Sequence, residues 1–374
     1  MPLNHGFHEF YGAPNCHFGP YDNKHIPNIP IFRDNKMIGR YFDNIHIDRE
    51  RQVSNLTEVF TEEAIRFIKK QTTARVPYFL YWSPDSLHAP TYRSEKFLGK
   101  SVKQSSYGDA LIEIDYSVGR LLDTILHSDP LNNTFVFFTS DNGAALVSRT
   151  DAGSNGPLLC GKQTTFEGGF REPAIAWWPG KIKPNSKSGQ ISNVMDLFRT
   201  VASLASVPLP LDRTYDSNDL GPTLFSQQLT TNVSMFYYRG DTLMAIRHGP
   251  YKAHLWTFTN TWQQYSTGID FCPGNEVRNV TTHKLTEHKA PILFHLIRDP
   301  GERYPISPKT WEYKKTIKQI RTIVEEHEAN LKPGQPVLNT CDRAAMNWQP
   351  PGCEELKMCL PIPKSAPYAC NWPH

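Results

Sequence analysis

The sequence has no long apolar run. None approaches the roughly 20 residues that a membrane-crossing helix needs, so no transmembrane helix is expected. It also lacks a dominant charge. Forty Lys and Arg against 37 Asp and Glu leave a formal +3, too small and too scattered for a nucleic-acid surface. Internal repeats and low-complexity tracts are missing, which argues against a solenoid or a disordered chain. The first residues, Met1-Pro2-Leu3-Asn4-His5-Gly6-Phe7-His8, carry no charged-then-apolar pattern, so no secretory signal is read there.

What is present points to a globular protein. A chain of 374 residues can bury a full core and form two domains. Hydrophobic residues make up 39% and charged residues 21%, the balance of a soluble fold. The 14 histidines would make the surface more cationic near pH 5, which suits an acidic polymer as partner. Four glycosylation sequons begin at Asn55, Asn132, Asn232 and Asn279. Four of the seven cysteines (Cys341, Cys353, Cys359 and Cys370) crowd into a Pro-rich tail without apolar periodicity. Such a tail builds no core of its own, and disulfides are its natural fastening. Chance sequons and reduced buried thiols are the plain alternatives. A secretory-pathway protein whose start lies outside this sequence accounts for all these features together.

The patterning alternates helix and strand. Residues 1–40 are turn-rich. Apolar residues at helical spacing run from Leu56 to Lys70, with acidic residues early and lysines late, as the helix dipole favours. A strand is expected at Tyr78–Trp82, leading to His88. A helix is expected from Tyr107 to Leu126, with Ala110, Leu111, Ile114, Val118, Leu121, Leu122 and Ile125 on one face. The strand Phe135–Phe138 follows, then another at Ala174–Trp178 and a helix at Val194–Ala205. Strand, helix, strand with apolar strands marks an α/β layer. Residues 233–300 read as short strands and turns, a small antiparallel sheet. Ser307-Pro308 is expected to open a long helix with Trp311, Ile317, Ile320, Ile323 and Val324 inward.

The most informative stretch is Phe135-Val136-Phe137-Phe138-Thr139-Ser140-Asp141-Asn142-Gly143. It reads as a buried strand ending in a carboxylate, an amide and a glycine. Oxygen donors where a strand of an open α/β sheet stops suit a hard cation. Alone, Asp-Asn-Gly is an ordinary turn. Downstream, the segment Cys160–Pro173 adds Lys162, the pair Gly168-Gly169 and Arg171, the makings of an oxyanion site beside that cation.

In this order the two segments resemble the second half of a sulfatase active site, and the chain resembles the sulfatases of the alkaline-phosphatase superfamily along its whole length. The marks are Asp115-x-x-Val118-Gly119, Gly169-x-Arg171-x-Pro173 and Leu293-Phe294-x-Leu296-x-x-Asp299-Pro300-x-Glu302. Asn15–Asn23, Tyr237–Thr242 and Gly268–Gly274 resemble the members that act on glycosaminoglycan 6-sulfates. One mark departs: Asp216-Ser217 stands where the family has Asp-Gly.

The resemblance implies an α/β fold, a mixed-sheet α/β/α sulfatase domain incomplete at its N-terminus, plus a smaller α+β domain and a disulfide-pinned tail. The expected boundaries are 1–232, 233–333 and 334–374. It implies a sulfuric ester hydrolase removing 6-sulfate from N-acetylgalactosamine or galactose units at the ends of chondroitin and keratan sulfate. Lysosomal location, a homodimer, no nucleic acid and no membrane go with it. Asp141 and Asn142 would be two ligands of one Ca²⁺. Lys162 would face the sulfate oxygens, and His88 would hydrogen-bond the sulfate or act as general acid. Arg171 would be structural, tied to Glu167 or Glu172. The cysteines would pair as Cys160–Cys272, Cys341–Cys370 and Cys353–Cys359, with Cys16 unpaired.

The resemblance also exposes what these residues lack. Sulfatases make a formylglycine nucleophile from the cysteine of Cys-x-Pro/Ala-x-Arg, and none of the seven cysteines is so placed. No Asp-Asp pair, the family's other metal ligands, occurs. The family's N-terminal third is expected to be missing, with its central strands, leaving 78–82 and 134–139 with unpaired edges. A non-catalytic short form or binding protein is therefore the competing reading. A phosphate-ester relative is disfavoured, since no Asp-x-x-x-His ligand set accompanies Asp141.

Overall fold

The computed structural model describes residues 1–14, 22–129, 133–229, 233–258, 270–273, 285–332, 334 and 340–369. They fall into two compact units. The first comprises Met1–Pro130, Ser148–Gly153 and Gly334–His374; the second comprises Leu131–Val147 and Ser154–Pro333.

The first unit opens with a three-stranded antiparallel sheet of β1 (Tyr11–Gly12), β2 (Pro30–Arg33) and β3 (Lys36–Arg40). The two-residue turn between β2 and β3 places Asp34 at φ 57°, a conformation that Asp tolerates in tight hairpins. Asp34 also accepts the Phe10 amide at 3.0 Å and so ties β1 to the turn. Two short strands, β4 (Ile47–Asp48) and β5 (Val53–Ser54), lead into α1 (Leu56–Ala74). Its buried residues Leu56, Phe60, Ala64, Ile65 and Ile68 recur at helical spacing. The next helix, α2 (Ser106–Ser128), is capped by Ser105, which accepts the Gly108 amide at 3.1 Å. It packs against α1 through Ala110, Ile114, Leu121 and Ile125. Leu111, expected on that face, is 48% exposed. Positions 110 and 111 are about 100° apart on a helix, and the stripe follows 110.

The expected strand at Tyr78–Trp82 is not one. The segment has no ladder among the described residues, and Phe79 and Tyr81 are 55% and 73% exposed. An apolar run becomes a strand only where a neighbour takes its backbone groups.

The Cys-rich tail folds onto the small sheet of this unit. The disulfide Cys353–Cys359 closes a short loop, and Cys353 is buried against Phe32 and Met37. Arg40, fully buried, donates from its guanidinium to the carbonyls of Asn28 (2.8 Å), Asn347 (3.0 Å), Trp348 (3.1 Å) and Met358 (3.4 Å). The tail therefore hangs on one cation as much as on sulfur. Cys341 is also disulfide-bonded; Cys370 and Cys16 lie outside the described residues.

In the second unit β6 (Val136–Thr139) pairs antiparallel with β7 (Ala174–Trp177). Between them lies the short helix α3 (Glu167–Phe170), and after them α4 (Asp196–Leu204). A four-stranded antiparallel sheet follows: β8 (Ser234–Arg239), β9 (Thr242–His248), β10 (Tyr251–Thr257) and β11 (Thr286–His295), in the order β11-β10-β9-β8. The long helix α5 (Trp311–Asn330) covers this sheet with Tyr313, Ile317 and Ile320. Thr310, not Ser307, caps it, accepting the Tyr313 amide at 3.2 Å. Trp311, expected inward, is 74% exposed, because it stands about 200° around the helix from Tyr313.

The expected boundary near residue 232 does not divide the compact units. Leu159, Cys160 and Phe166 share one core with Met244, Phe294 and Leu296 of the antiparallel sheet, and Cys160 is disulfide-bonded to Cys272. Residues on both sides of the polar linker thus bury a common apolar surface. The tail, set apart in the sequence, joins the first unit through Arg40 and Cys353.

Replacing Arg40 with Met should remove a donor from four carbonyls, of which Trp348 O keeps the Leu360 amide. The expected cost is about 3 kcal/mol of unfolding free energy, with amide exchange accelerating across 347–358. Unchanged urea midpoint and exchange would show that the tail does not depend on this cation.

Candidate active site

The candidate site in the second unit is built where β6 ends. Thr139 is the last strand residue, and Ser140, Asp141 and Asn142 follow in a tight turn in which the Ser140 hydroxyl donates to the Asn142 carbonyl at 3.0 Å. Asp141 is exposed; Asn142 is half-buried and spends its amide N–H on the Gly143 carbonyl at 3.2 Å. The Asn142 side-chain oxygen Oδ1 and the Asp141 carboxylate remain as oxygen donors.

This turn is laced to the segment 155–170 by backbone bonds. The Gly143 amide donates to Gly169 O at 3.1 Å, and the Lys162 amide donates to Ala144 O at 3.0 Å. Asn155 bridges the two, accepting the Ala144 amide at 2.8 Å and donating to Cys160 O at 2.7 Å. The backbones touch so closely that a Cβ on Gly143 would collide with the Gly168 carbonyl, and one on Gly168 with the Cys160 carbonyl. The glycines that the motif demanded are there for contact. Asp141, Asn142 and Lys162 consequently belong to one knitted assembly.

Beneath it lies a buried ion cluster. Glu167, in the first turn of α3, receives Lys252 Nζ at 3.0 Å, and Lys252 also lies 3.4 Å from Glu302. All three side chains are at most 1% exposed. Glu302 accepts the Glu167 amide at 2.5 Å and pairs with His254 Nε2 at 2.7 Å, while Arg247 sits 3.6 Å from the other Glu167 oxygen. Burial pushes the Lys252 ammonium down, but Glu302 and Glu167 together outweigh it and hold it above its ordinary range. Burial likewise opposes the Glu302 carboxylate, and Lys252 with the His254 hydrogen bond keeps it below the usual value. Burial pushes His254 down against the opposing pull of Glu302, which its Nε2 meets at 2.7 Å. The cluster fastens α3, and with it the Cys160–Arg171 segment, to β10.

Glu172 follows directly. Burial, aided by the charge of Asp141 and opposed by a hydrogen bond from Ser140, pushes its carboxyl up to about 7. Its Oε1 is buried without a hydrogen-bond partner among the described residues. Burial is the main cause, so the shift reports a partly buried carboxyl near Asp141 at the strand end. The donors present fit a hard cation, but among the described residues no three His, Cys, Asp or Glu converge as a ligand set. They amount to part of a shell.

His88 lies in the first unit. Its Nδ1 donates to Ala89 O at 2.6 Å, so in the neutral ring Nε2 carries the lone pair. Nearby Asp85 is pushed up by burial, while the Tyr41 hydroxyl, donating at 2.6 Å, and His88 pull it back. Arg171 forms no ion pair with Glu167 or Glu172 among the described residues. Its side chain is exposed, and the expected partner Glu167 is taken by Lys252 from within the core. Asn55 is exposed at the N-cap of α1; Asn132, Asn232 and Asn279 lie outside the described residues.

Sequence reasoning missed Lys252, His254 and Glu167 as a group, and Glu172. A lysine and a histidine alternating with Ala253 inside an apolar strand were the available signal.

The sulfatase family model matches residues 1–207, and the model of the C-terminal region of aryl-sulfatase matches 230–361. The chain belongs to the sulfatase family. Among its relatives, the N-acetylgalactosamine-6-sulfatases of Canis lupus familiaris and Homo sapiens are 55% and 52% identical over all of this chain, which spans 72% and 71% of their lengths. Human arylsulfatase A is 34% identical over 97% of the chain and 73% of its own length. The crystal structure of PsFucS1 sulfatase from Pseudoalteromonas sp. superposes with a TM-score of 0.73 over 89% of this chain and 69% of that one, at 24% identity. The fold is thus the mixed α/β sulfatase architecture with a C-terminal region built on an antiparallel sheet.

Two outcomes follow from the electrostatics. Lys252→Met should strand two buried carboxylates and cost about 3–5 kcal/mol in denaturant unfolding of the second unit. Because Glu302 is held below its unfolded value, the stability that it contributes is present above pH ~4.3 and lost as pH falls through its depressed value. The variant's acid limb should therefore be flatter, and a parallel acid limb would refute the assignment. Glu172 has the opposite sign. Its raised value penalises the native state increasingly as pH climbs from ~4.3 to about 7. Glu172→Gln should gain on the order of 1 kcal/mol at pH 8, after discounting for its half exposure, and nothing at pH 4. Equal urea midpoints at pH 8 would contradict this.

Proposed function

We propose that this chain is a sulfuric ester hydrolase of glycosaminoglycans, directed at the 6-sulfate of N-acetylgalactosamine or galactose at the ends of chondroitin and keratan sulfate. The observation that carries the proposal is that Asp141, Asn142 and Lys162 stand on two loops laced backbone to backbone, in a chain more than half identical to proteins named for that reaction. Lys162 places its ammonium against the sulfate oxygens. His88, its Nδ1 proton held on Ala89 O, would act on the leaving oxygen as hydrogen-bond donor or general acid when Nε2 also carries a proton. Asp141 and Asn142 would hold Ca²⁺, with Glu172 beside them; when bound, the ion offsets charge on the sulfate. Lysosomal location, glycosylation beginning with exposed Asn55, and a homodimer belong to the same proposal.

The nucleophile fits no residue here. None of the seven cysteines lies in Cys-x-Pro/Ala-x-Arg, so no catalytic step is derived through formylglycine. Residues 1–374 expressed alone are accordingly proposed to bind rather than cleave. Two ligands from a shell of about six or more also predict weak Ca²⁺ binding.

Incubated with 4-methylumbelliferyl galactose-6-sulfate, these residues should release no fluorophore above a Lys162→Ala control. Titration with N-acetylgalactosamine 6-sulfate should show binding that Lys162→Ala weakens about tenfold, the loss of one charge-assisted contact. Turnover above the control would overturn the inactivity, and equal affinity of the two proteins would overturn the role of Lys162.

A further inference from the structure

Within the first unit a concavity of about 470 Å³ opens between residues 24–25 and the tail segment 342–368. Four basic side chains line it, Lys24, His25, Arg343 and Lys364, and all four are exposed. Among the described residues Lys24, Arg343 and Lys364 form no ion pair, while His25 pairs with Asp22 at 2.8 Å. The one acid in the lining, Asp342, is held ionised and sets one negative charge against Lys24, Arg343 and Lys364, which leaves cations in excess. Its carboxylate accepts from Ser365 Oγ at 2.6 Å and from the Ala344 and Ala366 amides at 2.9 and 3.3 Å. It is spent on holding two tail segments together.

The rest of the lining is rigid. The Trp348 indole, 3% exposed, donates to Arg343 O at 2.8 Å, and Arg343 in turn donates to His25 O at 2.5 Å. Tyr368 presents a ring that is 57% exposed, and Pro361 and Pro363 stiffen the rim. Unpaired cations around an exposed aromatic face match a ligand with anionic groups on an otherwise hydrocarbon-and-hydroxyl ring. The volume falls in the range of about 300–1,000 Å³ typical of small-ligand sites. A nucleic acid would call for a longer basic track than a net charge of +3 supports.

We propose that this groove is a second binding site for the sulfated glycosaminoglycan, one that grips sulfate and carboxylate groups of the chain through Lys24, Arg343 and Lys364. The proposal rests on the glycosaminoglycan reading above and deepens it. Its consequence is that a longer oligosaccharide, with more sulfate and carboxylate groups to meet the three cations, binds the groove more tightly than a monosaccharide.

The test is titration of the full chain with a chondroitin 6-sulfate hexasaccharide at two salt concentrations. Lys24→Ala/Lys364→Ala, which keeps the Arg343–His25 bond, should bind the hexasaccharide at least tenfold more weakly, with a salt slope reduced by about two. The same variant should bind N-acetylgalactosamine 6-sulfate as the parent does. Lys162→Ala should show the reverse preference. Unchanged hexasaccharide affinity in the double variant would overturn the groove while leaving the proposed function standing. Loss in the double variant with no effect of Lys162→Ala on the monosaccharide would support the groove and sink the site reading. Equal binding of unsulfated chondroitin or of single-stranded DNA would show mere cationic adhesion and overturn the proposal.

Discussion

The second unit depends on an ammonium with no access to water. Lys252 sits between Glu167 and Glu302, and no part of its side chain is exposed. Removing a charge from water costs several kcal/mol, and the cost is offset only when opposite charges and hydrogen bonds surround it. Here Glu302 answers Lys252, His254 and the Glu167 amide together, so each partner is needed by the others. The result is a joint between α3 and β10 that tolerates little displacement. Everything from Cys160 to Glu172 inherits its position from that joint, helped by the Cys160–Cys272 bond.

The first unit uses the same physics with neutral partners. Arg40 is equally buried, and it spends its guanidinium on backbone carbonyls of the tail instead of on carboxylates. Its planar fork reaches several carbonyls from one point. In both units a cation carried on a strand fastens segments that are remote in sequence. Each such side chain would look misplaced to a reader scanning for apolar strands.

At the candidate site the fixed backbone concentrates unlike demands. The turn after β6 exposes Asp141, while Glu172 is half buried beside it and resists ionising. The glycines between them permit backbone contact that a single methyl would block. The turn after β6 and the backbone around Lys162 thus share one knitted support.

Much was legible in the sequence because it depends on local pattern. The α1 and α2 helices declare themselves by apolar residues at helical spacing, and Asp141-Asn142-Gly143 declares a strand end by composition. The glycine pair and Lys162 could be placed on a site loop for the same reason. What the sequence left open depends on neighbours supplied from afar. Tyr78–Trp82 has the composition of a strand, yet strand formation is a property of two segments, and no second segment pairs with it among the described residues. Arg171 stood near two glutamates in sequence, but Lys252, 85 residues downstream of Glu167, claimed the first. Leu159, Cys160 and Phe166 bury against Met244 and Phe294 across the polar linker, a partnership that local pattern does not announce. Pattern decides which residues want burial or charge, and only the packed chain decides which partner satisfies them.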